Sequence, residues 1–191
     1  IVKISNRKDL IKKTSAGEAI SILHPLYSFQ SAQTLFKEKR KLKMRFVLAT
    51  DGHYGEKGID SDKQFSDLVK WLNKEHENSP LDFAIINGDL VHDRPDLLES
   101  VNEKFFKQFN FKYYTLPGNH DHANNALWNK VFGYDCNYVF ERKDVGFVLA
   151  NTSNTEGEYI CPDNKFLRKK LELFKDKKIV FIVMHIPPHQ W

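Results

Sequence analysis

From residue 44 onward the sequence predicts an α/β fold. Apolar runs of about four to eight residues, rich in β-branched and aromatic types, alternate with stretches whose apolar residues recur at helical spacing. Such alternation argues for parallel pairing, because parallel neighbours need a crossover connection and a helix supplies it. Each of the first three runs also stops at a Gly or Pro and hands over to a polar loop. Beyond Asp121 the rhythm changes from crossover to hairpin.

The first run, Arg45-Phe46-Val47-Leu48, opens into ATDGHYG. DSDKQFSDLVKWLNKEHE then places Phe65, Leu68, Val69 and Leu72 at helical spacing behind an Asp/Ser-rich start suited to capping. The second strand, LDFAIIN, ends in GDLVHD, and Pro95-Asp96 opens a helix with Leu97, Leu98, Val101, Phe105 and Phe106 on its apolar face. FKYYTLP is the third strand and ends in GNHD. These three strands read as buried. NYVFERKDVGFVLANTS reads as two antiparallel strands joined at a Lys-Asp turn. NKFLRKKLELFKD is a helix with Phe166, Leu167, Leu171 and Phe174 on one face, and KIVFIVM is a fully apolar strand that delivers His185. No internal repeat or low-complexity linker interrupts this order.

The polar residues fall at strand C-termini, where ligands gather in open α/β sheets. Asp51, His53, Asp89, Asn119 and His120 lie there, joined by His185. Carboxylate, imidazole and amide oxygen together suit Zn, Mn or Fe, and no Cys lies near these loops. The alternation of a strand end predicts that Asp51 and His53 point to one side and share an ion. A second ion needs a shared carboxylate, and Asp89 is the candidate at the middle strand end. Taken alone, a histidine such as His53 is more often an ordinary loop or core residue; the ordered set of motifs gives these residues their weight.

At these residues the chain resembles the calcineurin-like metallophosphoesterases. Asp51-Gly-His53 is similar to that family's Asp-x-His, Gly118-Asn119-His120-Asp121 to its Gly-Asn-His-Asp/Glu, and His185 to its isolated histidine after a strand. Gly88-Asp89 matches the start of Gly-Asp-x-x-Asp, but His92 stands where the later Asp is expected, with Asp93 one place further on. The family's final Gly-His-x-His is absent from the sequence, so the resemblance, over about residues 44–191, implies a domain lacking its C-terminal portion. The implied fold is a β-sandwich of two mixed sheets flanked by helices.

The resemblance further implies two divalent or trivalent transition-metal ions, with Asp51 and His53 on one, Asn119 and His185 on the other, and Asp89 between them. A dimetal centre lowers the pKa of a bridging water and clamps the phosphoryl oxygens, which is the chemistry of phosphate-ester hydrolysis. His120 is then free to protonate the leaving oxygen, with Asp121 beside it to fix its tautomer. With a Gly-His-x-His supplied, two ions are expected per chain; without it, weaker binding. Substrate residues are less legible: Arg94, Asn124, Asn125, Trp128 and His189 sit in loops that face the crevice or are plain loop surface. A phosphomonoester or phosphodiester, with small nucleotides in view, is the expected substrate. The alternatives are a nuclease-type phosphodiesterase and a protein-binding scaffold of the same fold. Retention of the earlier ligands and of His120-Asp121 favours catalysis, since a binding fold has no need of a proton-transfer histidine there.

A chain of 191 residues can bury a sizeable core, and 41% hydrophobic content with fifteen Phe is that of a globular protein. The formal charge of +4, with Lys spread over helix faces, does not argue for nucleic acid. Cys136 and Cys161 allow one disulfide or none. Residues 1–43 differ from the rest. From Ser5 a basic stretch, an apolar stretch and small residues follow in the order of a secretory leader over residues 5–32, and Arg7-Lys8 with Leu10-Ile11-Lys12 resembles a twin-arginine export signal. On that reading the protein is extracytoplasmic. As an ordinary amphipathic segment, or with translation starting at Met44, it is cytoplasmic. No stretch approaches the ~18 apolar residues of a membrane span.

Overall fold

The computed structural model describes residues 44–187. The leader reading of residues 5–32, the segment 1–43 as a whole, and His189 lie outside those residues.

The first sheet holds β1 (Phe46–Ala49), β2 (Phe83–Asn87) and β3 (Tyr113–Leu116) in that order. Its pairings are parallel throughout, with Phe46 opposite Phe83 and Ala84 opposite Tyr113. Central β2 is buried at every residue, whereas β1, at the edge, is only half-buried. The second sheet holds β4 (Tyr138–Arg142), β5 (Val145–Leu149) and β6 (Ile179–Val183) and is mixed. β4 and β5 form the expected hairpin, and its turn residue Lys143 takes φ 55°, the sign that primed hairpin turns need at their first central position. β6 joins β5 in parallel.

Helices make the crossovers. α1 (Ser61–Asn78) is capped by Asp60, whose carboxylate accepts the Lys63 N–H at 3.1 Å, and it buries Phe65, Val69 and Leu72. α2 (Leu98–Lys104) is shorter than the sequence suggests, with single 3-10 turns at Pro95–Leu97 and Phe106–Gln108. The break falls at Phe105, which leaves helical geometry and turns its ring toward Phe65. α3 (Asn125–Phe132) replaces a predicted loop: Asn124 Oδ1 accepts the Leu127 N–H at 2.9 Å, Gly133 closes the helix at φ 82°, and Trp128 is fully buried. α4 (Asn164–Leu173), capped by Asp163, connects the second sheet's parallel pair.

The side-chain alternation of β2 divides the core. Phe83 and Ile85 point into the sandwich, where Tyr114 and Leu116 join them against Phe140, Phe147 and Leu149 of the second sheet. Ala84 and Ile86 point the other way, into a layer built from α1, α2 and Trp128. Aromatic stacking fills the sandwich: the Phe140 and Phe147 rings stack nearly parallel with centroids 4.7 Å apart, and Phe83 meets both edge-on.

The outer face of the second sheet is thinner than the sequence reading suggests. Phe174 packs onto Gly146, where a Cβ would lie 2.7 Å from its ring, but α4 itself buries no residue. Leu173 is open, and on the edge strand β6 Ile179 is 51% exposed. Both cysteines are free thiols, Cys136 buried and Cys161 exposed. Among the described residues no helix is long and apolar enough to cross a membrane.

Because Phe147 is fully buried and touches four other rings, Phe147→Ala opens a cavity between the sheets. The expected cost is about 3–5 kcal/mol, read as a lower urea midpoint with an unchanged denaturant slope.

Candidate metal centre

The three loops meet at the C-terminal ends of β1, β2 and β3. After β1 the chain runs alongside the loop after β2: Asp51 N donates to Gly88 O at 3.2 Å, His53 N to Asp89 O at 2.8 Å and Tyr54 N to Leu90 O at 3.0 Å. Asp51, His53 and Asp89 thereby bring ligand atoms within 4.8 Å of one another. The means differs from the predicted strand alternation. Asp51 and His53 both adopt left-handed backbone, at φ 60° and 46°, so two local reversals rather than an extended segment aim their side chains together.

Asp89, also left-handed at φ 53°, is the hub. Its Oδ2 lies 3.2 Å from His185 Nε2 and 3.6 Å from His53 Nε2, and its Oδ1 accepts the His120 backbone N–H at 3.0 Å. Burial pushes the Asp89 carboxyl up, but the hydrogen bond and charge of His185, the His120 N–H and the nearby His53 outweigh it and hold it below the usual carboxylate range. His185 responds in the opposite sense. Burial favours its neutral form, yet Asp89 and the Asn87 carbonyl, 2.7 Å from Nδ1, raise its pKa on balance. Anchoring Nδ1 on a carbonyl leaves Nε2 as the ligand atom.

Two glycines make room for this hub. A Cβ on Gly88 would stand 2.5 Å from the His185 ring, and one on Gly118 would collide with Asp89 Oδ1. The donor set of carboxylates and imidazoles, packed against glycine cradles, fits a transition-metal ion. Asn119, half-buried in the 3-10 turn Asn119–Asp121, starts the third loop and takes its place beside His120.

Asp121 corrects the sequence reading. It does not orient His120. Its carboxylate is fully buried and accepts the Val91 N–H at 3.0 Å and the Gly118 N–H at 2.8 Å, tying the second loop to the third. Burial, with Asp89 nearby, pushes its pKa up to about 7 against the pull of those backbone donors. The carboxylate on the His120 ring is Asp93, whose Oδ1 lies 2.7 Å from Nδ1. Asp93 Oδ1 also meets His122 Nε2 at 3.1 Å, and His122 Nδ1 is anchored on the Thr155 carbonyl at 2.9 Å. The His120 and His122 hydrogen bonds hold the Asp93 pKa down; the Thr155 carbonyl and Asp93 raise that of His122.

His92, Asp93 and His122 are therefore site residues that motif matching did not assign. His92 arrives because Tyr54 and Val91 form a parallel bridge and His92 N donates to Tyr54 O, a pairing of two loops with no trace in local sequence. The readable signal was the displaced carboxylate: one extra residue after Gly88-Asp89-Leu-Val moves Asp93 but keeps it in reach. Two suggested substrate residues are otherwise engaged. Arg94 forms a two-point ion pair with Asp96, at 2.8 and 2.7 Å, and Asn124 is the cap of α3.

Comparisons with known proteins bear on the family and the fold. The calcineurin-like phosphoesterase family profile matches residues 44–191. Among solved structures the chain is similar in fold to a dimetal phosphatase from Danio rerio, with a TM-score of 0.55 and 14% sequence identity over 76% of this chain and 70% of that one. No curated protein matches.

The two aspartates should separate on substitution. Asp121→Asn keeps one acceptor where two backbone donors need satisfaction, so stability should fall by about 1–3 kcal/mol. Asp93→Asn, at a largely exposed side chain, should leave the melting temperature nearly unchanged while turnover falls. Thermal melts and steady-state rates on both variants check the assignment.

Proposed function

The chain belongs to the calcineurin-like phosphoesterase family, and from that premise we propose that it hydrolyses a phosphomonoester or phosphodiester of a small molecule, a nucleotide among the candidates, with two transition-metal ions. The family's chemistry is metal-dependent phosphoester hydrolysis. The observation that carries it is the single Asp89 oxygen facing both His53 Nε2 and His185 Nε2, the arrangement of a carboxylate shared between two ligand sets. Asp51, His53 and Asp89 would hold one ion; Asp89, Asn119 and His185 would hold the other. When bound, the ions supply an activated water near neutral pH and neutralise charge on the phosphoryl group.

The chain's own residues supply the rest. His120 is fixed twice, its backbone N–H on Asp89 Oδ1 and its Nδ1 on Asp93. Its main chain therefore follows the shared carboxylate, while its ring presents Nε2. In the imidazolium form Nε2 gives its proton to the leaving oxygen, and the neutral ring that remains keeps its Nδ1–H on Asp93. Asp93, ionised at neutral pH, stabilises the imidazolium before transfer.

His120→Ala in the manganese-loaded protein should lower turnover by roughly 10²- to 10⁴-fold, the loss expected for a positioned general acid, with manganese content by elemental analysis close to that of the parent. The loss should be large for alkyl phosphates and small for nitrophenyl esters, whose leaving oxygen needs little protonation. An equal loss for both esters would remove His120 from the acid role.

A further inference from the structure

Beside the carboxylate hub lies a cluster that the reaction above does not use as a whole. His53, His92 and His120 bring ring nitrogens within 4.8 Å of one another. The His92 and His120 rings stack with centroids 5.0 Å apart, and both meet the His53 ring edge-on. His92 Nδ1 lies 3.2 Å from His53 Nδ1. Two ligands on a tetrahedral zinc with bonds of ~2.0–2.1 Å stand about 3.3 Å apart, so this separation is that of neighbouring ligands. His120 is prepared in the same sense: Asp93 occupies its Nδ1, and a carboxylate behind an imidazole fixes the tautomer and strengthens the other nitrogen as a ligand.

We propose that His53, His92 and His120 form an alternative, three-imidazole cation site, selective for a borderline ion such as zinc, that competes with the carboxylate centre for His53. A neutral imidazole has one lone pair. His53 therefore gives Nε2 to the Asp51 and Asp89 side or Nδ1 to the His92 and His120 side. Carboxylate-rich sites suit manganese and imidazole sites suit zinc, so the identity of the metal decides which side is filled. Zinc on the imidazole side removes a ligand from the working centre and engages the proton donor, and excess zinc thereby inhibits. The competition rests on the reading of Asp51, His53 and Asp89 as a cation centre; the three-imidazole site does not.

The test titrates Zn²⁺ and Mn²⁺ separately, by calorimetry, into the metal-free 191-residue chain and its His92→Ala and Asp51→Asn variants. His92→Ala should weaken zinc by at least about tenfold, the floor set by losing even an outer partner of a ligand, and leave manganese within about threefold. Asp51→Asn should do the reverse. Co²⁺ in place of zinc should give the intense visible absorption of a four-coordinate site in the parent and in Asp51→Asn, and lose it in His92→Ala. His92→Gln, which keeps the bulk of the side chain, should match His92→Ala. Unchanged zinc affinity in His92→Ala overturns the proposal. So does an equal loss of zinc and manganese, which would mean that His92 merely orients His53 through a hydrogen bond between the two rings. Manganese binding unmoved by Asp51→Asn would instead refute the carboxylate centre, with the His92 comparison still deciding the imidazole site.

Discussion

A carboxylate without access to water is costly unless backbone donors satisfy it, and Asp121 is in that position. Its two oxygens take the N–H groups of Val91 and Gly118, one from the loop after β2 and the other from the loop after β3. Those two bonds set the distance between the loops, and the hub follows from it. With Gly118 held there, Asp89 lies against a residue that has no Cβ, and His120 N reaches Asp89 Oδ1. Each ligand loop is thus positioned by main-chain hydrogen bonds before any side chain meets an ion. That order is what a site needs if its geometry is to exist ahead of its ligand.

The same loops carry most of the unfavourable backbone. Of the six described residues other than glycine with positive φ, five, Asp51, His53, Asp89, Asp93 and His122, are at the site. Such conformations cost roughly 1–3 kcal/mol each and persist only where the surroundings impose them. Here the imposition is visible: residues 51–54 are laced to 88–90 through three N–H bonds, and Asp93 N donates to His120 O. The stability that carries this strain lies elsewhere, in the aromatic layer between the sheets and the apolar layer under α1, α2 and α3. A large core of ordinary geometry supports a small site of strained geometry.

What could be read from the sequence follows from this division. Strands and long helices are repeated local patterns, so β1 to β6, α1, α4 and the hairpin at Lys143 were legible, as were the ligand types at strand ends. α3 was not, because Asn124-Asn125 reads equally as a turn and as a helix start, and only the bond to Leu127 N decides. Within the site, Asp51, His53, Asp89 and His185 could be named from their motifs. The partner of His120 could not. Adjacency in sequence favoured Asp121, but in the tight 3-10 turn Asn119–Asp121 neighbouring side chains diverge, and Asp121 turns inward while the His120 ring stays outside. The open apolar residues of β6 also escaped, since periodicity gives a strand's character but not its place at a sheet edge.

The exchange of roles between Asp121 and Asp93 has a physical logic. A carboxylate that orients a proton donor must stay ionised at the working pH and must recover its state after each proton passes. Asp121 meets neither condition well: buried, with a pKa of about 7, it is partly protonated near neutrality. Asp93 has 54% of its side chain exposed, its pKa lies below the usual carboxylate range, and His122 holds it from the far side through the Thr155 carbonyl. Water beside Asp93 can return a proton to His120 without opening the fold. Despite its one-residue displacement from the expected position, this aspartate still places a solvent-accessible carboxylate in contact with His120 Nδ1.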